Sequence, residues 1–533
     1  MTQTPNHRRA VLRAAAAAPF AGAFAWPLGA WAQAARGGVL VIGTTQKPRH
    51  LNSAVQSGIA TMFPAAQLFA SPLRMSADWK PQPYLAERFE LSSDNRSVTL
   101  HLRRDAVFHD GRPITAEDLK FSIETIRDNH PFRSMYAPVN AVTIDGPLKA
   151  VVRLAEPHPA LLLAMSTSLT PIIPKHIFGD GVDPKVHPRN ANPVGSGPFK
   201  LVEFKPGEHI VMERNERFFL KDLPRLDRLI VKEYKDNASM LLAFEKGEID
   251  VHPLIADPRE IERARKIPGV QLVGSAQPAV GPLIWLAFNT QNPKLADKRV
   301  RQAISYAIDR KFIADTLFGG IHKVATGPIA RGSPFYSAEV QSYAHNLATA
   351  TQLLDAAGLK AGPNGKRLAL DVDAIPGSQE LKTIQEYLKP ALAKAGIEVT
   401  VRLSPDFPTW ARRVASHQFE MTMDSVWNWG DPVIGVHRTW LSSNIKPGVI
   451  WSNTQGYRNA RVDELLEAAA KEMDLAKRKA QYREVQKIVV DDCPVAFLIE
   501  ATITEGYAAK VVQPPKGIWG MIDAMNDISV RKA

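Results

Sequence analysis

The chain has 533 residues, 45% of them hydrophobic and 23% charged, which excludes a disordered or fibrous protein and leaves length for two or three folded domains. Its formal net charge is +12, but acids are interspersed with the Lys and Arg residues throughout, so the excess aids solubility and anion steering without forming a nucleic-acid stripe. One cysteine, Cys493, excludes a disulfide within the chain and a zinc site built from neighbouring cysteines.

The N-terminus reads as a targeting segment. MTQTPNHRRAVLR carries Arg8, Arg9 and Arg13 and no acid, and the apolar, alanine-rich run after it ends at Ala30-Trp31-Ala32. This is the layout of a secretory signal peptide over residues 1–32 with an A-x-A cleavage site. A membrane anchor is the alternative, opposed by Pro19 and Pro27 within the run. The pair Arg8-Arg9 also fits a twin-arginine signal, and both export routes stay open. Cleavage predicts a mature chain starting at Gln33 with a net charge of about +9 once the three arginines are removed. No later run of about 20 apolar residues occurs, and no cysteine is placed to carry a lipid, so a soluble periplasmic monomer is expected.

The elements follow in order. Val39 to Ile42 form a continuous apolar run, the pattern of a strand buried on both faces of a parallel sheet. Val98, Leu100 and Leu102 alternate as in a half-buried strand. Thr115 and Asp118 open a helix as a capping pair, with Leu119, Ile123 and Ile126 on one face. Residues 141–153 predict a hairpin turning at Asp145-Gly146-Pro147, and a second hairpin pairs Lys200–Phe204 with His209–Glu213 around Pro206-Gly207. LDRLIVKEY is a strand and NASMLLAFEKG a short helix. Val300, Ile304 and Ile308 predict one helix running to Gly319-Gly320. Two more helices end in glycine near 358 and 396, and a long helical stretch, broken in its middle, lies near the C-terminus. The order is α/β throughout, without an internal repeat.

The metalloprotease HExxH, the G-x-S-x-G elbow and the phosphate-binding G-x-x-x-x-G-K-[ST] are missing. Gly195-Ser196-Gly197 reads as a turn whose glycines serve the backbone. His109-Asp110 reads as a tight turn before it reads as a metal site. Cys493, beside an apolar run, reads as an inert core thiol. No catalytic residue, metal ligand or cofactor site is expected.

Five segments carry a resemblance: residues 83–124 (PYLAERFELSSDNRSVTLHLRRDAVFHDGRPITAEDLKFSIE), 192–215 (NPVGSGPFKLVEFKPGEHIVMERN), 242–251 (LAFEKGEIDV), 289–310 (NTQNPKLADKRVRQAISYAIDR) and 457–469 (YRNARVDELLEAA). In this order the chain resembles the periplasmic dipeptide, oligopeptide and nickel-binding family of ABC-transporter solute-binding proteins, over roughly residues 38–525. The resemblance implies a two-lobed fold of the type II, cluster C class, with an extra domain inserted in the N-terminal lobe. Domain I would comprise 33–72, 193–276 and 505–533, domain II 73–192, and domain III 277–504. It further implies a ligand, foremost a short peptide, enclosed between hinged lobes and delivered to an inner-membrane ABC permease, with no turnover. An opine, oligosaccharide, glutathione or metal chelate in the same fold is the alternative, and a secreted hydrolase the rival class.

The resemblance also nominates ligand residues. In DSVWNWGDPVIG, Asp431-Pro432 matches the D-P pair whose aspartate meets a peptide's amino terminus, although the pattern's earlier aspartate is absent here. Trp427 and Trp429 flank Asn428, and one of the two is expected to line the pocket while the other packs. Trp440 is a further candidate. Thr44, Gln46 and His50 follow the first strand and share one side if the segment is extended. Pro48-Arg49-His50-Leu51-Asn52 keeps most of a family run, with Ser53 where proline is common. Arg331, in a turn-rich segment, is suited to a ligand carboxylate.

Overall fold

The computed structural model describes residues 36–531. The expected signal segment 1–32 and the mature start at Gln33 lie outside the described residues.

Two large sheets organise the chain. In the first, the strands run in the order Gln271–Gly274, Thr504–Tyr507, Val251–Ile255, Val39–Thr44, Arg228–Glu233, His209–Arg214 and Phe199–Lys205. Val39–Thr44 lies parallel to Arg228–Glu233 over six positions and touches Val251–Ile255 at Ile42. Leu40 and Ile42 are fully buried, as a strand flanked on both sides requires. One sheet therefore gathers three stretches far apart in sequence. A separate four-stranded antiparallel sheet (Ala86–Leu91, Ser97–Leu102, Lys149–Leu154, Val139–Ile144) packs into the same apolar core, and together they form a first lobe.

The second lobe is built on six strands in the order Lys323–Val324, Val495–Glu500, Pro282–Phe288, Met421–Trp427, Leu368–Ala374 and Ile397–Arg402. Every residue of the central strand Pro282–Phe288 is buried, with one apolar core on each side of the sheet. The chain passes between the two large sheets twice, through residues 275–281 and 501–503. The two crossings are short and run in opposite directions, the layout of a hinge. Among the described residues no helix is long and apolar enough to cross a membrane.

Local signals behaved as their chemistry requires. Asp118 accepts from the Thr115 N–H at 2.9 Å and opens the helix Ala116–Asn129. Both hairpins form, as Val139–Ile144 with Lys149–Leu154 and as Phe199–Lys205 with His209–Arg214. The helix expected to run unbroken to Gly319 does not. It ends at Ala307, Ile308 is extended, and Asp309 caps a new turn by accepting from the Phe312 N–H at 2.9 Å. An aspartate can hold either a helix surface or a cap, and here burial of Ile308 selects the cap. The C-terminal stretch is broken as expected, into Ala460–Ala469 and Leu475–Asp492. Cys493 ends the latter in a left-handed turn, fully buried, and burial pushes its thiol up to about 11.

Gly195 and Gly197 are required by close approach rather than by backbone freedom. A Cβ on Gly195 would lie 1.8 Å from the Leu68 carbonyl oxygen and one on Gly197 2.4 Å from that of Gln67. Ser196 between them is fully buried, accepts from the Ala70 N–H and is not poised as a nucleophile. His109 braces the same turn, accepting from the Gly195 N–H at 3.2 Å and lying 3.1 Å from the Gly197 carbonyl.

Candidate functional site: an aromatic cavity between the lobes

The strand Met421–Trp427 delivers its last residues to the space between the lobes. Beyond it, Asn428 ties the chain to the hinge: its N–H donates to the Val280 carbonyl at 2.8 Å, and its side-chain oxygen accepts from the Ala330 N–H at 2.7 Å. Trp429 and Gly430 then take positive φ, 52° and 81°. This turn keeps the segment from being extended and swings the Trp429 ring alongside Trp427. The two rings stack at 5.6 Å and 20°, and Trp429 also tilts onto Phe132 of the first lobe at 5.5 Å. Between the lobes lies a cavity of about 350 Å³, walled by Gln46, Gly58, Ile59 and Phe132 from the first lobe and by Ser425, Trp427, Trp429, Arg438, Thr439 and Trp451 from the second.

Of the residues nominated from the sequence, Gln46, Trp427 and Trp429 line this cavity. Both tryptophans do so, where one lining and one packed residue were expected, because the turn at Trp429 places the rings face to face. Thr44 and His50 do not. The Thr44 hydroxyl accepts from the Gln46 N–H at 3.0 Å, and His50 is buried with Nδ1 accepting from the Asn52 N–H at 3.2 Å. Their side chains close local turns, so the run is not the extended chain that alternation requires. Trp440 is core, 1% exposed and packed edge-on against Trp285 at 5.5 Å. Arg331 is held on the surface by Tyr336, by the Val324 carbonyl and by Glu500 at 3.8 Å, away from the cavity.

Asp431 departs furthest from expectation. Its carboxylate accepts two bonds from Arg478, Nη1 to Oδ2 and Nη2 to Oδ1, both 2.7 Å, and caps Pro432–Gly435 by accepting from the Val433 N–H at 3.0 Å. Asp431 and Arg478 are nearly inaccessible, with side chains 6% and 4% exposed. Burial works to raise the Asp431 carboxyl, but the Arg478 charge outweighs it and holds the group below its usual range. A carboxylate already forked by an arginine is not the free partner that a ligand's ammonium needs.

The sequence reading passed over Arg438. It stands on the short helix His437–Trp440 and reaches the cavity, with Nε donating to the Trp451 carbonyl at 2.5 Å and the guanidinium carbon 5.4 Å from the Phe132 ring centre. Burial lowers it to about 10, only partly offset by Asp424. Asp424 is itself buried and pushed up to about 7, while its Oδ1 accepts from Trp451 Nε1 at 3.1 Å and the Ser425 N–H at 2.6 Å. The signal was present: an arginine inside the apolar, aromatic run VIGVHRTW is a charge that the fold must partner or use.

Comparison with known proteins fits this architecture. Residues 80–448 match the family model of the bacterial extracellular solute-binding proteins, family 5 Middle. The oligopeptide-binding protein AppA of Bacillus subtilis is 25% identical over 486 residues, 87% of this chain and 86% of that one. Among solved structures, the ABC transporter substrate-binding protein CtaP of Listeria monocytogenes superposes with a TM-score of 0.80 at 26% identity, covering 93% of this chain and 99% of that one. NikA of Brucella suis, solved in complex with Fe(III)-EDTA, gives 0.80 at 25% identity, with 93% and 100% covered. The match over most of the chain, on a fold with a hinge and a cavity between its lobes, makes this protein a member of the bacterial extracellular solute-binding proteins, family 5.

Proposed function

We propose that the chain is exported to the periplasm, loses residues 1–32, captures a small solute between its lobes without converting it, and hands it to the permease of an ABC importer. The observation that carries this reading is the cavity itself: about 350 Å³, lined from both lobes across a two-stranded hinge. Sites of this kind are walled mainly by apolar and aromatic groups with a few polar ones, and span about 300–1,000 Å³. The volume is at the compact end of that range, the size of a short peptide or another small solute. The name of the Bacillus subtilis relative favours the peptide.

The test uses protein purified from its own periplasm. A solute released by denaturation and added back to the refolded protein should raise the melting temperature and be recovered intact in stoichiometric amount. Repeated conversion of that solute by homogeneous protein overturns the reading in favour of a hydrolase.

A further inference from the structure

Four deeply buried arginines show what this fold does with a guanidinium it has no further use for. Arg478 forks Asp431. Arg214 spends Nη2 on Asp227 and the Arg225 carbonyl. Arg301 gives Nη1 and Nη2 to the carbonyls of Leu295, Ala296 and Asp492. Arg310 gives them to carbonyls and to Ser305 Oγ. In Arg478, Arg301 and Arg310 both terminal nitrogens are taken, and Arg214 meets a carboxylate through Nη2, so each has at least one terminal nitrogen bonded, as burial of a charge demands.

Arg438 is different. Only Nε is engaged, by the Trp451 carbonyl. Among the described residues, Nη1 and Nη2 hold no hydrogen bond, and no carboxylate lies within ion-pair distance of the group. The side chain is nonetheless fixed, by that bond and by the face of Phe132. Among the described residues it is the one charged residue lining the cavity, and none of those in the wall is an aspartate, glutamate or lysine. The nearby Asp424 is not part of the cavity wall, accepts both Trp451 Nε1 and the Ser425 N–H on Oδ1, and is pushed by burial toward its neutral form. The cavity thus offers a held, unpaired fork of donors at one point, flat aromatic rings around it, and no anion for a cationic group.

We propose that the solute carries a carboxylate that seats on Nη1 and Nη2 of Arg438, with a compact apolar or aromatic body against Trp427, Trp429 and Phe132. A planar guanidinium binds a carboxylate through two parallel hydrogen bonds, and the half-buried setting strengthens the pairing. The inference rests on the solute-capture reading and sharpens it: the charged end that the cavity reads is an acid, and the ammonium anchor expected at Asp431 has no counterpart there. The C-terminus of a very short peptide and a free aromatic acid both present this chemistry.

Calorimetry with two matched pairs tests it: phenylacetate against phenylacetamide, and glycyl-phenylalanine against its C-terminal amide. The wild-type protein should bind at least one acid roughly thirtyfold or more tightly than its amide, the loss typical when one partner of a buried charge pair is removed. Preference in the dipeptide pair alone identifies a peptide C-terminus, and in the phenylacetate pair alone a free acid. Arg438→Gln should erase the preference. Arg438→Lys, which keeps the charge but not the fork, should retain part of it and controls for folding. Amides binding as tightly as acids overturn the assignment while leaving solute capture intact. So does a preference that survives in Arg438→Gln, and so does failure of both acids to bind at millimolar concentration.

Discussion

Asp431 and Arg438 sit on consecutive short helices and play opposite parts. The first is sealed against Arg478, and the second is held open to the cavity. Breaking a buried ion pair by removing one charge leaves the other uncompensated and costs about 3–5 kcal/mol. Asp431→Asn should therefore lower the unfolding free energy by about that amount, read from a denaturant melt, and leave the relative affinities for free and acetylated amines unchanged in the protein that remains folded. A variant that melts like wild type but loses preference for a free amine would put Asp431 in contact with the solute. A sequence motif names a residue type at a position and says nothing about which neighbour reaches it first. Arg478 lies 47 positions further on, beyond the reach of any local pattern. For the same reason Trp440 and the cavity residues Trp427 and Trp429 look alike in sequence: what separates them is whether the far side of the ring meets Trp285 or open space.

At the level of elements, the segment joining Met421–Trp427 to His437–Trp440 is the piece on which the site depends. Its shape is fixed by two conformational demands: positive φ at Trp429 and Gly430, and a contact at Gly435 so close that a Cβ would lie 2.0 Å from the Asn428 carbonyl oxygen. That oxygen is backbone and cannot rotate away. Gly435→Ala should displace the segment, cost about 1–3 kcal/mol as overpacked positions do, and weaken solute binding by shifting Trp427, whose carbonyl oxygen the added Cβ would meet at 2.8 Å, and with it Trp429. Unchanged melting and affinity would show that the segment is softer than its packing indicates. Regular elements were the legible part of this chain. Strands, hairpins and capped helices follow from alternation, turn residues and Asp or Thr caps that act within a few positions. The irregular segments were misread where one local rule met a tertiary demand: Ile308, periodic with its helix yet extended to reach the core, and the run Thr44–His50, closed into turns instead of extended.

On the scale of the whole molecule, the resemblance in five ordered segments pointed to a two-lobed protein, and the family match and the superpositions bear that out. Periodicity alone would have stopped at a long α/β chain, because the pairing of Val39–Thr44 with Arg228–Glu233 and, through Val251–Ile255, with Thr504–Tyr507 joins residues hundreds apart. The cavity was less legible still, since it is made by two lobes meeting and its wall is shared among residues 46–59, 132 and 425–451. If enclosure there is what the fold is for, filling the space must abolish binding without harming the lobes. Ser425 is suited to this: it sits on a strand, faces the cavity and is half-buried, and a strand accommodates an aromatic side chain well. The direct measurement is native mass spectrometry of wild type and Ser425→Phe, each purified from the same periplasm and then re-exposed to the released solute. Wild type should carry one solute per chain and recover it on re-exposure, while the variant, with an unchanged melting temperature, should remain at the mass of the bare chain. An equal adduct on both proteins would contradict the account and place the solute elsewhere.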